Sequence, residues 1–130
     1  MAEERISSVM QTDFLRLSGD CPIREATARL VEGASSGAAV VDEAGQLIGI
    51  ITEKDCFRPA LNASYYQQWS GTVADSMNTD ITTIEAETDF VTAAEVFLDQ
   101  PFRSFPVMRN GELVGMLDRA DLLKVFLRHG

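Results

Sequence analysis

The chain has 130 residues, 45% of them hydrophobic, with 20 acidic against 11 basic side chains and a formal net charge of −9. This is enough apolar material for one ordinary domain or two small halves sharing a core, and too much for a disordered chain. The acidic balance argues against nucleic acid and against an anionic membrane surface, although a few arginines would reverse the field inside a cleft that takes a small anion. No apolar run reaches bilayer length and the opening "MAEERISSVM" has no apolar signal core, so no membrane and a cytoplasmic location are expected.

In chain order, "FLRLS" reads as a strand and Pro22 as a helix start, with Ile23, Ala26, Leu30 and Val31 as the helix's apolar stripe. "GAAVV", a turn at "DEAG" and "LIGII" read as a hairpin of mostly buried strands. After Asp55 a helix is expected to break at Pro59, which cannot continue a hydrogen-bond ladder. "NASYYQQWSGT" follows as a partly ordered connection whose Tyr65, Tyr66 and Trp69 are expected to pack. Thr72 and Asp75 open a short helical turn through Met77, and "DITTI" (Asp80 to Ile84) has β-branched strand character. Thr88 is expected to cap a helix with the stripe Phe90, Ala93, Ala94, Phe97 and Leu98. "SFPVM", a turn at "RNG" and "LVGML" make a second hairpin, and "DRADLLKVFLRHG" a closing helix with Arg128 and His129 in its last turn. Phe57, Phe97, Phe102, Phe105 and Phe126 are expected in the core or at an interface.

The chain repeats itself. Met10 falls on Met77, Thr12 on Thr79, Ala26 on Ala93, and "AAVV" on "FPVM", all at one offset. The turn "DEAGQ" then shortens by one residue to "RNGE", and "GQLIGIITEKD" overlays "GELVGMLDRAD". Two β-α-β-β-α repeats follow, over residues 3–62 and 72–128 with a linker at 63–71. The predicted fold is α+β, with two pseudo-two-fold-related repeats packed through their sheets, because neither repeat has enough core alone.

The order "SSVMQTD … EATARLVEGASSGAAVVDEAGQLIGIITEKD", repeated as "ADSMNTD … TAAEVFLDQPFRSFPVMRNGELVGMLDRAD", resembles a tandem pair of CBS domains, also called a Bateman module. The features that carry it are the Met-x-Thr start, the Ala-rich helix, the small residue or Pro before the hairpin, the Gly turn and the G-h-h-T-x-x-D ending. The resemblance implies a non-catalytic regulatory module that requires no cofactor and holds an adenosine-containing ligand between its repeats. AMP, ADP, ATP and S-adenosylmethionine are the candidates. It also implies a homodimer and an effector protein that reads the ligand. Carried onto this chain, one site uses Thr52 and Asp55, completed by Ile81, Thr82, Arg103, Phe105 and Pro106. A second, weaker site uses Asp118 and Asp121, completed by Phe14, Leu15, Gly37 and Ala38.

The chemistry agrees with this assignment, and a simpler reading stands beside it. A carboxylate suits two vicinal hydroxyls because it accepts both hydrogen bonds, and Arg103 would add a charge-assisted bond to a phosphate. Thr-x-x-Asp ahead of a helix is also nearly a capping box, with Thr52 capping and Asp55 reaching back, and Asp118 with Asp121 would do the same. Asp118 in the Thr position adds a negative charge where a phosphate would sit. That half should therefore disfavour multiply charged phosphates, and it would suit a metal-bridged ligand, an uncharged or cationic adenosyl compound such as S-adenosylmethionine, or nothing. No Ser-His-Asp set, metal-spaced cluster or Gly-rich phosphate loop is present in the sequence, so no enzyme and no metal are expected. Cys21 and Cys56, the only cysteines, are expected as two buried thiols and not a disulfide. The alternative to a sensor is a ligand-free dimerisation module, with Leu61, Phe97, Phe126 and Leu127 on a self-association face.

Overall fold

The structure, a computed structural model, describes residues 4–129. The first residue of the earlier predicted repeat and the side chain of His129 lie outside the described residues. Two compact units form: Leu15–Ile81, and Met1–Phe14 together with Thr82–Gly130. The units do not coincide with the sequence repeats, because the opening segment of each repeat folds with the sheet of the other.

In the unit that is continuous in sequence, β1 (Arg16–Ser18) lies parallel to β2 (Gly37–Val41), and β2 pairs antiparallel with β3 (Leu47–Thr52). The helix α1 (Ile23–Glu32) joins β1 to β2, with Pro22 as its N-cap and Ile23, Ala26 and Leu30 buried. Val31, expected in that stripe, is 65% exposed. It sits about 100° around the helix from Leu30, past the edge of the buried face. The Asp42 side chain accepts from the N–H groups of Ala44 and Gln46, and Gly45 takes the positive φ that closes the hairpin turn.

The expected break at Pro59 does not occur. A 3-10 turn at Lys54–Cys56 leads directly into α2 (Phe57–Tyr66), and Pro59 lies in that helix's first turn. There a missing N–H costs nothing, since the first four have no partner within the helix. The first half of the predicted connection is therefore helical, and it ends at Gln67 in the left-handed region. Tyr65 and Tyr66 are exposed, against expectation, while Trp69 packs on the core beside Leu15 and Met77. The short α3 (Val73–Ser76) carries the Thr72–Asp75 capping box.

The other unit repeats the plan. β4 (Ile84–Glu85) lies parallel to β5 (Ser104–Arg109), which pairs antiparallel with β6 (Glu112–Asp118). Asn110 and Gly111, both at positive φ, turn the hairpin. β4 is shorter than "DITTI" suggested: residues 80–83 lie outside the sheet, and β-branched propensity supplies no neighbouring strand. The helix α4 (Phe90–Asp99) is capped by Asp89, not Thr88, through an Oδ1 that accepts from Thr92 N at 2.7 Å. Leu98 is 87% exposed. It follows Phe90 at the same spacing at which Val31 follows Ile23, and it fails for the same angular reason. α5 (Arg119–His129) closes the unit.

Each unit has its own core. Phe105 and Val107 meet Phe90, Leu117 and Val125 in one, and Leu17, Val40 and Ile51 meet Ile23 and Leu30 in the other. Phe97 and Phe102 stand edge-on to Phe105, at centroid distances of 4.8 and 6.0 Å. Phe97 is therefore a core contact and not a free self-association residue, whereas Phe57 and Phe126 are surface residues.

Candidate functional site

The opening segment of the second repeat docks on the outer edge of β3. Asn78 and Ile50 exchange reciprocal backbone hydrogen bonds of 2.8 and 2.9 Å. The segment comes this close because position 49 is Gly: a Cβ there would lie 2.6 Å from Met77 Sδ and 3.1 Å from the Asn78 carbonyl oxygen. The opening of the first repeat docks on β6 in the same manner. Gln11 and Met116 exchange bonds of 2.8 and 2.9 Å, and a Cβ on Gly115 would lie 2.6 Å from Met10 Sδ. The two Met-x-Thr starts and the two strand glycines are thus halves of one packing device made twice.

At the end of β3, Thr52 N–H and Thr52 Oγ1 both donate to Asp55 Oδ2, at 2.8 and 2.9 Å. Asp55 N–H reaches Thr52 Oγ1 at 3.4 Å, so the reciprocal capping geometry foreseen for Thr-x-x-Asp is present. Sequence reasoning missed the third donor, the Asn78 side-chain amide, whose Nδ2 lies 3.0 Å from the same Oδ2. Three donors converge on one carboxylate oxygen, and Oδ1 accepts from no group among the described residues. Asp55 is half-buried, and no unpartnered side-chain oxygen is buried among the described residues, so Oδ1 reaches solvent. Gly37 is paired with Thr52 across the hairpin, and Glu53 N–H donates to the Ser36 carbonyl at 3.0 Å, which brings the segment before β2 to the same strand end.

The corresponding place in the other unit is wired differently. Asp118 Oδ1 accepts from Ala120 N–H at 2.9 Å, an ordinary helix-start contact, and makes no reciprocal bond with Asp121. The expectation that this pair would repeat the capping box is therefore corrected: Asp118 has no hydroxyl with which to donate. Asp121 Oδ2 accepts from Gln11 Nε2 at 3.0 Å, and its Oδ1 pairs with Lys124 Nζ at 3.6 Å. Gln11 occupies the place of Asn78, so an amide meets the motif carboxylate in both units. Here the second carboxylate oxygen already faces a cation.

The remaining sequence-selected residues fall into three groups. Phe105, Pro106 and Ala38 are buried core residues. Gly37, Phe14, Leu15, Ile81 and Thr82 are half-buried, and Ile81 with Thr82, like Phe14 with Leu15, marks a point where the chain passes from one unit to the other. Arg103 is exposed, and its carbonyl accepts from Arg119 N–H at 2.8 Å, beside Ser104, which pairs with Asp118.

Both cysteines are free and buried. Burial, first, and a 3.0 Å hydrogen bond to Glu25 push the Cys21 thiol up to about 11. Burial also raises the Cys56 thiol. Neither is set up as a nucleophile, which needs a lowered pKa. Among the described residues no cluster of His, Cys, Asp or Glu suits a metal ion, and no helix is long and apolar enough to cross a membrane.

A twice-written three-stranded α+β unit, with an exchanged opening segment and a carboxylate fixed at the end of its hairpin, defines the class of this protein. The CBS domain family matches residues 6–61 and 73–128, and the chain belongs to that family as a tandem pair. An uncharacterized 17.7 kDa protein of Acidianus ambivalens is 26% identical over 124 residues, covering 95% of this chain and 73% of its own length. The structure of CBSX2 from Arabidopsis thaliana in complex with AMP superposes with a TM-score of 0.84 at 22% identity, over 96% of this chain and 97% of that one. The CBS domain pair of protein MJ0100, in complex with 5-methylthioadenosine and S-adenosyl-L-methionine, gives a TM-score of 0.81 at 20% identity, over 98% of each chain. At these identities the two structures establish the fold.

Proposed function

We propose that the chain is a regulatory module that senses an adenosine-containing ligand, with Asp55 accepting from the ribose hydroxyls. The observation that carries this reading is the state of the Asp55 carboxylate: Oδ2 is saturated by three donors while Oδ1 is left open at the end of a hairpin. Capping and ligand binding thus use different oxygens of one side chain and coexist. The AMP complex of CBSX2 and the S-adenosylmethionine complex of MJ0100 share an adenosine ribose, the group that a fixed carboxylate acceptor suits. Thr52 stands beside Asp55 in the proposed set, and the family resemblance adds Ile81, Thr82, Arg103, Phe105 and Pro106, with Arg103 as the candidate charge for a phosphate. Binding regulates only if the ligand prefers one of two conformations, and a partner protein then reads the shift. A homodimer is proposed as the working assembly, in the cytoplasm.

A second reading, a structural module without a ligand, is favoured at one place. Asp118 there replaces the hydroxyl, and Lys124 Nζ stands 3.6 Å from the second oxygen of Asp121. We propose that this half disfavours multiply charged phosphates. The test is a thermal-shift series with AMP, ADP, ATP and S-adenosylmethionine on wild type and Asp55→Ala. A ligand at 100 times its dissociation constant stabilises by about 2.7 kcal/mol. A rise with one ligand that Asp55→Ala abolishes supports the sensor; no rise with any ligand supports the scaffold.

A further inference from the structure

We propose that Asn78 is a positioning residue that sets the ligand-accepting oxygen of Asp55, so that the opening segment of the second repeat controls the affinity of a site on the first. The proposal rests on the ribose-acceptor reading of Asp55 and adds to it.

An aspartate carboxylate is a short two-fold rotor, and its two oxygens exchange freely unless one is anchored. Thr52 supplies two anchoring bonds from the last residue of β3, three positions before Asp55 in the same chain segment. The Asn78 amide is the donor from outside that segment. Its backbone is fixed to β3 by the reciprocal bonds to Ile50, and its neighbour Met77 is seated on Gly49. The carboxylate is therefore held from two segments, from β3 through Thr52 and from the opening segment of the second repeat through Asn78. The same arrangement recurs between Gln11 and Asp121, where Gln11 holds the same bridging position on β6 and delivers an amide from a side chain one methylene longer. That recurrence shows that a glutamine at this position reaches the motif carboxylate.

The experiment compares wild type with Asn78→Asp and Asn78→Gln, using titration calorimetry with AMP and with S-adenosylmethionine as probes. Asn78→Asp keeps the shape but places an acceptor against a carboxylate. It is expected to weaken the probe that wild type binds by roughly 10-fold or more, the scale of losing a hydrogen bond to a charged group. Asn78→Gln is expected to restore binding to within about 3-fold, a rescue that loss of general stability would not produce. Asn78→Asp binding as tightly as wild type, or Asn78→Gln binding as weakly as Asn78→Asp, overturns the proposal. If wild type binds neither probe, the ribose reading fails, and the positioning role is decided by hydrogen exchange at Thr52 N–H, which donates to the anchored Asp55 Oδ2. Faster exchange in Asn78→Asp than in wild type and Asn78→Gln supports it; the same exchange in all three overturns it.

Discussion

Gly49→Ala tests whether the strand glycine exists to seat the opening segment of the next repeat. The substitution leaves the backbone unstrained, since Gly49 is not at positive φ. In open space an alanine here would stabilise by about 0.5–1 kcal/mol through lost chain entropy. The new Cβ, however, would stand 2.6 Å from Met77 Sδ and 3.1 Å from the Asn78 carbonyl oxygen. The sulfur is the flexible end of a side chain and moves aside. The carbonyl is hydrogen-bonded to Ile50 N–H at 2.9 Å and moves only by stretching that bond. Overpacking of this kind costs about 1–3 kcal/mol, so the net expectation is a loss of about 1–2 kcal/mol. Releasing the segment would cost more: two backbone bonds at about 1 kcal/mol each, besides the burial of Met77. Urea denaturation followed by Trp69 fluorescence reads the loss directly, because the lone tryptophan packs on the same core as Met77. Hydrogen exchange at Ile50 N–H should accelerate in Gly49→Ala. It should not accelerate in Gly45→Ala, which is strained by its positive φ but has nothing within 4 Å of a new Cβ. A Gly49→Ala protein at least as stable as wild type, with unchanged Ile50 exchange, would refute the reasoning.

Phe105→Ala removes a ring that is 1% exposed and contacted edge-on by Phe97 and Phe102, and should cost about 3–5 kcal/mol in urea denaturation. Asp118→Thr restores a hydroxyl that can donate to Asp121, and is expected to raise affinity for AMP or ATP in calorimetry; no gain would count against the idea that the Asp118 charge disfavours phosphates. The Cys21 thiol titrates near 11 in the folded chain against a reference of 9.0, so the folded state holds its proton more tightly. Its contribution to stability is complete below pH 9 and declines as the pH rises toward 11, and Cys21→Ala should flatten that decline in urea midpoints measured across the window.

The repeat was legible because both copies keep the same side-chain order, and the hairpins were legible because buried strands and Gly turns leave strong local patterns. Helix stripes were legible over their first two turns. They failed at Val31 and Leu98, where helical rotation carries the last apolar residue onto the surface. Pro59 misled because its effect depends on position along a helix, and the 3-10 turn that sets the position is not visible in the sequence. Of the candidate site, Thr52 and Asp55 were found through motif order, and their mutual bonds through the spacing of a capping box. Asn78 and Gln11 were not found, because no local pattern ties a residue to a carboxylate in the other sequence repeat. The overlay did contain the clue: Met10 and Met77 aligned at the head of each repeat, ahead of its first predicted strand.

The exchanged openings also fix an order of assembly during synthesis. Leu15–Ile81 is continuous in sequence, so this unit has all its parts once Asn78 and the residues just after it have left the ribosome. A product cut at the repeat boundary, before Met77, would present β3 with a bare edge over Gly49 and Ile50, a template for pairing with other chains. The other unit needs residues from both ends of the chain. Ile6 must wait for Ala86 and Thr88, and Gln11 for Met116, before either finds its backbone partner. Closing so long a loop is slow compared with forming local contacts. Nascent chains should therefore become protease-resistant in two stages, the continuous unit first and the N-terminal segment last.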